Sequence, residues 1–273
     1  MRKGIAVITA VLDKIKNSSG QWIEEPTRAK FTRKTLIALS KAGYETVVVY
    51  SPMCTQKTLE IIRKTSHAVE EKGKGLGESF RQGLAYAPES TSATAFVWME
   101  PEKVNLVPFL KDVVKPVLAG KADMVVVGRK DNIESYPSAQ AHEERFQNEW
   151  VSTLYQGRLT KVGDKGYFDW SFGPFAWSRA GAKYCFDYAK LEYSEKDDIY
   201  CSRKLPAFTI RAAGGKVVPV SVNYKHPREW TRAEEHGLGP YVTWNEKRLR
   251  QLEVVVKAVT GFLKEYPQYR SKT

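Results

Sequence analysis

Over the first 130 residues, short runs of β-branched residues alternate with segments of helical spacing, and few architectures accommodate that alternation. "GIAVITAV" (4–11), "TVVVYS" (46–51), "HAVEE" (67–71), "TAFVWME" (94–100) and "ADMVVVGR" (122–129) predict strands. Between them, "RAKFTRKTLIALSKAG" (28–43) carries Phe31, Leu36, Leu39 and Ala42 at helical intervals, and Gly43 stops it. "CTQKTLEIIRKT" (54–65) predicts a second helix, and "KGKGLGESFRQGLAYA" (72–87) a glycine-punctuated loop that passes into a third. "LVPFLKDVVKPVLAG" (106–120) predicts a fourth, bent at Pro116. Such a succession builds βαβ units, hence an α/β fold with a mostly parallel central sheet flanked by helices. Ligands of such sheets collect at the carboxyl ends of the strands, near the point where strand order reverses.

The second half is less regular. Residues 142–157 predict a helix, "DWSFGPFAWSR" (169–179) an aromatic loop and strand, and "DDIYCSRKLPAFTIRAAG" (197–214) a helix interrupted at Pro206. "KVVPVSVNY" (216–224) predicts a strand, and a closing helix covers about 244–265. No repeat or low-complexity linker divides the chain, so residues 1–273 read as one domain.

Charge and cysteine usage narrow the function. The net charge of +12 favours phosphate-bearing ligands, nucleic acid or an anionic membrane surface. The 43 Lys and Arg are dispersed, however, and no nucleic-acid-binding signature accompanies them, so a specific nucleic-acid partner is not expected. No apolar run approaches the roughly 20 residues of a membrane span. "MRKGIAVITAVLDK" lacks a cleavage-site pattern and reads as a first core strand rather than a signal peptide. Cys54, Cys185 and Cys201 form no CxxC pair, which suits reduced thiols and a cytoplasmic location.

In "FVWMEPEKV" a buried strand runs directly into Glu100, Pro101, Glu102 and Lys103. Two carboxylates at the carboxyl end of a parallel strand suit Mg²⁺ or Mn²⁺, which take hard oxygen ligands together with phosphate oxygens. The competing reading is a pair of solvated acids opening a helix, with Lys103 neutralising either. Lys72 and Lys74 are candidate phosphate contacts, with Gly73, Gly75 and Gly77 permitting close backbone approach, although the P-loop spacing is missing. Arg129, just past a strand's end, is a candidate of the same kind. The aromatic stretch Tyr167, Phe168, Trp170, Phe172, Phe175 and Trp177 is rich enough to line an acceptor pocket, with Trp170 as the stacking ring and Asp169 beside it. Aromatic residues are as readily core. His67, His142 and His236 read as structural or surface residues.

In this order the segments resemble the GT-A glycosyltransferases, in particular the family-2-like nucleotide-diphospho-sugar transferases, over about residues 4–227. "VVVYSPMCTQKTLEIIRK" has the shape of that family's VDDGSxDxT turn, and "GKGLGESFRQGLAYA" resembles its KGxxxAxNxGLxxA segment. "FVWMEPEKV" falls where the family writes Asp-x-Asp, and "ADMVVVGRK" matches the next strand. "SFGPFAWSR", with Gly173, resembles its acceptor-side segment, and "EKDDIYCSRKLPAFTIRAAGGKVVPVSVNYKH" its ED-x-D-L, helix, strand, His pattern. Tyr50, Ser51 and Pro52 replace the family's acidic turn, and Glu100-Pro101-Glu102 replaces its acidic pair.

The resemblance implies a hexosyl-type glycosyltransferase that moves a sugar from a nucleotide-activated donor to a hydroxyl of a small-molecule or glycan acceptor. Residues 1–130 would bind the donor, through Lys72, Lys74, Gly75, Glu100 and Arg129, and residues 131–273 the acceptor, through Trp170 and Gly173. It implies Mg²⁺ or Mn²⁺ on Glu100, Glu102 and His226, and Asp197 or Asp198 as the base for the acceptor hydroxyl. The other reading of the two aspartates is a helix N-cap. The rival functions are a nucleotidyltransferase, whose early Gly- and Lys-rich loop is not seen in "ITAVLDKIKNSSGQW", and an inactive binding protein on the same fold.

Overall fold

A computed structural model of the chain describes residues 4–16, 21–73, 75–130, 133–159, 168–187, 199–235 and 244–265. The first part of the chain runs β1 (Ile5–Val11), a small antiparallel ribbon of β2 (Lys14–Lys16) and β3 (Trp22–Glu24), α1 (Pro26–Lys41), β4 (Glu45–Tyr50), α2 (Gln56–Thr65), β5 (His67–Glu70), α3 (Leu76–Ser90) and β6 (Ala95–Trp98). A 3₁₀ segment (Val104–Phe109) leads into α4 (Leu110–Leu118), followed by β7 (Met124–Arg129) and α5 (Ser138–Leu159). Then come β8 (Phe175–Ser178), two single turns, α6 (Arg179–Ala182) and α7 (Tyr184–Asp187), α8 (Ile199–Ala212), β9 (Val217–Val222), α9 (Arg228–Glu235) and α10 (Trp244–Glu265).

The central sheet has seven strands in the order β5-β4-β1-β6-β8-β7-β9. All neighbours pair in parallel except β8, which runs antiparallel to both β6 and β7. The mostly parallel sheet expected from the alternation is therefore present, with one reversed strand in its middle. Strand pleating sends alternate residues to opposite faces. Ala6, Ile8, Phe96, Trp98, Met124 and Val126 join one core with residues of α3, α5, α8 and α10. Ile5, Val7, Val97, Met99, Val125 and Val127 join the other, with Leu39 of α1 and Leu110, Val113, Val114 and Val117 of α4. Each large side chain so buried contributes about 1.5–3 kcal/mol.

Helix α3 lies unusually close to the sheet. A Cβ on Gly83 would stand 2.6 Å from Ile8 Cγ2 and 3.1 Å from Val49 Cγ2. Phe80, one turn earlier, meets Trp98 edge to face at 5.0 Å. This packing holds the first turn of α3 beside the carboxyl ends of β1, β4 and β6.

One expected break is absent. Helix α8 runs unbroken through Pro206. Proline removes one ladder bond there, but Leu205, Ala207, Phe208 and Ile210 are fully buried, and that packing keeps the helix whole. Pro116 sits within the last turn of α4, and the helix type changes earlier, at the 3₁₀ segment containing Pro108. The ribbon β2–β3 and helix α9 were not expected from the sequence.

Candidate functional site

The carboxyl ends of β1, β4 and β6 frame a cleft of about 330 Å³. Ala10, Val11 and Leu12 come from β1 and its exit, Val49 from β4, and Trp98, Glu100, Pro101 and Glu102 from β6 and its exit. Gly75, Leu76 and Ser79 of the α3 start form a wall, with Glu71 beside them and Arg28 of α1 opposite. Gly75 has a φ of 93°, a left-handed conformation that suits glycine at this helix entry. Ser79 Oγ donates to Glu71. The β1 exit is tied to α2: the buried Asp13 carboxylate accepts from Thr55 N at 3.0 Å and Thr55 Oγ1 at 2.6 Å. Cys54 Sγ donates to Val11 O at 3.2 Å, and burial pushes its thiol up to about 11, so it is an inert core group.

Both glutamates of the Glu-Pro-Glu turn line this cleft, and each stands against a cation of the chain. Glu102 Oε1 lies 3.3 Å from Arg28 Nε, and Glu100 Oε2 lies 3.8 Å from Lys103 Nζ. Lys103 Nζ also lies 4.6 Å from the Phe172 ring centroid. Burial pushes the Glu102 carboxyl up from its ordinary value, while the Arg28 charge opposes that shift.

A second cavity, of about 530 Å³, opens on the same rim beyond β8, at the ends of β7 and β9. Arg129, Lys130, Ile133, Glu134, Arg145, Asp169 and Ser221 line it. Behind it is a buried ionic network. Arg129 Nε and one terminal nitrogen donate to the two Asp169 oxygens at 2.6 and 2.7 Å, and its other terminal nitrogen donates to Glu144 Oε2 at 2.6 Å. Asn148 Nδ2 and Gln140 Nε2 donate to Asp169 and Glu144 at 2.8 and 2.7 Å. Burial alone would push the Asp169 carboxyl up; the Arg129 charge and its hydrogen bonds override that and hold it below the ordinary value. Arg129 thus stands at the second cavity, locked to two carboxylates, and not in the cleft with Glu100 and Gly75, beside which the sequence placed it.

Other expected site residues are dispersed. His226 is buried and stacks on Tyr136 at 4.1 Å, and its backbone N donates to Ser135 Oγ at 3.2 Å. Trp170 is fully buried, stacked on Phe168 at 5.0 Å and close to Tyr155 and Phe208, with Nε1 donating to Ser152 Oγ at 3.0 Å. It is a core ring and offers no face to a sugar. Gly173 occupies the turn into β8 with a φ of 104°. Lys72 is exposed and its backbone N donates to Gln82 Oε1 at 3.1 Å; of the Lys72–Gly75 set, Gly75 alone lines the cleft among the described residues. Lys74, Asp197 and Asp198 lie outside the described residues. Arg28 and Glu71 are cleft residues that the sequence reading missed. The signal for Arg28 was its place at the start of the helix after the first strand, the usual phosphate-facing position of a βαβ unit.

The expected metal ligands do not form a set. Among the described residues no three His, Cys, Asp or Glu side chains gather as a metal site, so His226 does not join Glu100 and Glu102. Each glutamate is already matched by a guanidinium or ammonium, which opposes a second cation between them. The described residues do not fit a resident Mg²⁺ or Mn²⁺.

The strand order, the reversed β8 and the cleft at the carboxyl ends of β1, β4 and β6 define the GT-A, or nucleotide-diphospho-sugar transferase, fold. Two solved structures show the likeness. Glucosyl-3-phosphoglycerate synthase from Mycobacterium tuberculosis, in complex with Mn²⁺, uridine diphosphate and phosphoglyceric acid, superposes with a TM-score of 0.55 at 13% identity, over 95% of this chain and 78% of that one. A 4-diphosphocytidyl-2C-methyl-D-erythritol synthase from Anaerococcus prevotii superposes with a TM-score of 0.50 at 14% identity, over 86% and 97%. No protein-family model and no curated protein sequence matches the chain. Among the described residues no helix is long and apolar enough to cross a membrane.

Proposed function

We propose that the protein transfers a sugar from a nucleoside-diphosphate-activated donor to an acceptor hydroxyl. The observation that supports this most is the cleft at the carboxyl ends of β1, β4 and β6, which Gly75 and the charged residues Arg28, Glu71, Glu100 and Glu102 line together with apolar strand ends. In the transfer, the acceptor oxygen forms a bond to the anomeric carbon, the bond from that carbon to the β-phosphate oxygen breaks, and the diphosphate leaves with the electron pair. The acceptor proton goes to a carboxylate, for which Asp197 or Asp198 is the candidate from the sequence resemblance.

The second cavity is the proposed acceptor side. Strands β6 and β7 are separated only by β8, so their ends lie about 10 Å apart. Its lining of Lys130, Arg145, Glu134, Asp169 and Ser221 suits a hydroxyl-rich or charged acceptor better than an apolar one. A soluble acceptor or one at an anionic surface fits the overall charge of +12.

Thermal stability across a panel of sugar nucleotides, with and without Mn²⁺, tests the donor reading. A ligand at about 100 times its dissociation constant adds about 2.7 kcal/mol. The responding donor is then incubated with candidate acceptors, and release of nucleoside diphosphate supports transfer. Release of pyrophosphate from a nucleoside triphosphate instead would support nucleotidyl transfer, the reading favoured by the likeness to the diphosphocytidyl synthase. Binding without turnover would leave a binding protein on this fold.

A further inference from the structure

Among the described residues that line the donor cleft, Arg28 is the only cation. We propose that Arg28 binds the donor diphosphate directly and supplies the charge neutralisation that a resident divalent ion gives in a metal-dependent transferase. This rests on the reading that the cleft holds a nucleoside diphosphate.

Three features of this chain carry it. The root of the side chain is fixed: Pro26 opens α1, and the Glu25 carboxylate caps the helix by accepting from the backbone N of Thr27 and Arg28. The head group is aimed: Glu102 meets the Nε edge at 3.3 Å, Cζ lies 6.0 Å from the Trp230 ring centroid, and the side chain keeps 30% exposure. The other two guanidinium nitrogens carry four of its five N–H donors, in the planar fork that matches two phosphate oxygens. Finally, each carboxylate that would hold an ion already has a cation of the chain beside it, Arg28 at 3.3 Å from Glu102 and Lys103 at 3.8 Å from Glu100. Glu102 is then a positioning residue, whose role is to hold the guanidinium over the cleft. Charge that develops on the leaving diphosphate is met by Arg28 in place, with no ion to recruit.

The test is equilibrium binding of UDP, GDP, CDP and ADP, and of the matching nucleosides, in excess EDTA and again with Mn²⁺. The expected result is that one diphosphate binds in EDTA and that Mn²⁺ changes its affinity less than about threefold. Arg28→Met then weakens that diphosphate about 10- to 100-fold, the range for a lost charge-assisted hydrogen bond, and leaves the nucleoside within about threefold. Retained nucleoside binding shows that the variant is folded, and Arg28→Lys recovers part of the loss because it keeps charge without the fork. Glu102→Gln, which loosens the hold on the guanidinium, weakens the diphosphate in EDTA by a smaller factor than Arg28→Met does and leaves the nucleoside within about threefold. Diphosphate binding that requires Mn²⁺ and is unmoved by Arg28→Met overturns the inference while leaving the donor site standing. No binding of any diphosphate, with or without Mn²⁺, removes the donor site itself and this inference with it.

Discussion

Arg129→Met tests the buried network behind the second cavity. Methionine roughly fills the space but withdraws the charge, leaving the almost fully buried Asp169 without a guanidinium and Glu144 with Arg248 alone, at 3.7 Å. Breaking a buried ion pair by removing one partner costs about 3–5 kcal/mol, a large share of a typical total of about 5–15 kcal/mol. At about 2–4 °C per kcal/mol for a chain near this size, the melting temperature should fall by roughly 6–20 °C. The pH dependence has a definite sign. In the wild type the Asp169 carboxyl is held low, so its contribution is present above the unfolded carboxylate value and lost as pH falls through the folded one. In the variant the same buried carboxylate lacks its cation and is pushed up instead, so acid relieves it. The deficit between wild type and variant should therefore be large near neutral pH and shrink as pH falls toward the carboxylate range. Melting curves at several pH values measure this, and Asp169→Asn added to Arg129→Met should recover part of the loss. A deficit under about 1 kcal/mol, or one that does not change with pH, would refute the argument that burial makes this network strong.

Three further outcomes are expected. Trp170→Ala should cost about 3–5 kcal/mol in chemical denaturation, because it empties a core site and strands the Ser152 hydroxyl; a variant of near-normal stability with a raised acceptor KM would restore it to the acceptor pocket. Gly83→Ala should cost about 1–3 kcal/mol by thermal melting, since the new methyl meets Ile8 and Val49; an unchanged melting temperature would mean that α3 shifts freely. The Glu143 carboxyl is pushed up to about 7 by burial and by the adjacent Glu144 charge, so the wild type loses stability as pH rises from the ordinary carboxylate value through about 7. Glu143→Gln removes that loss and should gain about 2 kcal/mol relative to wild type at pH 8 but little at pH 5; equal gains at both would contradict the assignment.

The βαβ order was legible because β1, β4 and β6 are apolar runs buried on both faces, and Gly43 and Pro52 punctuate it. The place of Glu100 and Glu102 at a strand's carboxyl end followed from the same pattern. Periodicity says nothing of lateral order, so the insertion of β8 between β6 and β7 could not be read from it. The ribbon of β2 and β3 has strands of three residues, too short to show alternation. Pocket and core use the same aromatic residues, and only packing assigns Trp170 to the core. Arg28 reads as one more helix-surface cation until α1 is placed beside the β6 exit, and no periodicity places His226 against Tyr136 rather than beside Glu100 and Glu102.

The reversed strand also dictates an order of assembly. β5, β4, β1 and β6 can zip together from consecutive sequence, but the open side of β6 is closed only by β8, and β7 on the far side depends on the same strand. Roughly 80 residues must be synthesised after β6 before β8 exists, which at ordinary elongation rates is about 4–15 s. Throughout that time the nascent chain carries a fully apolar strand, Ala95–Trp98, open along one edge, the kind of edge that joins neighbouring chains. Four residues, Phe175–Ser178, thus act as the latch between two half-sheets, and a defect there should appear as aggregation during synthesis before it appears as lost activity.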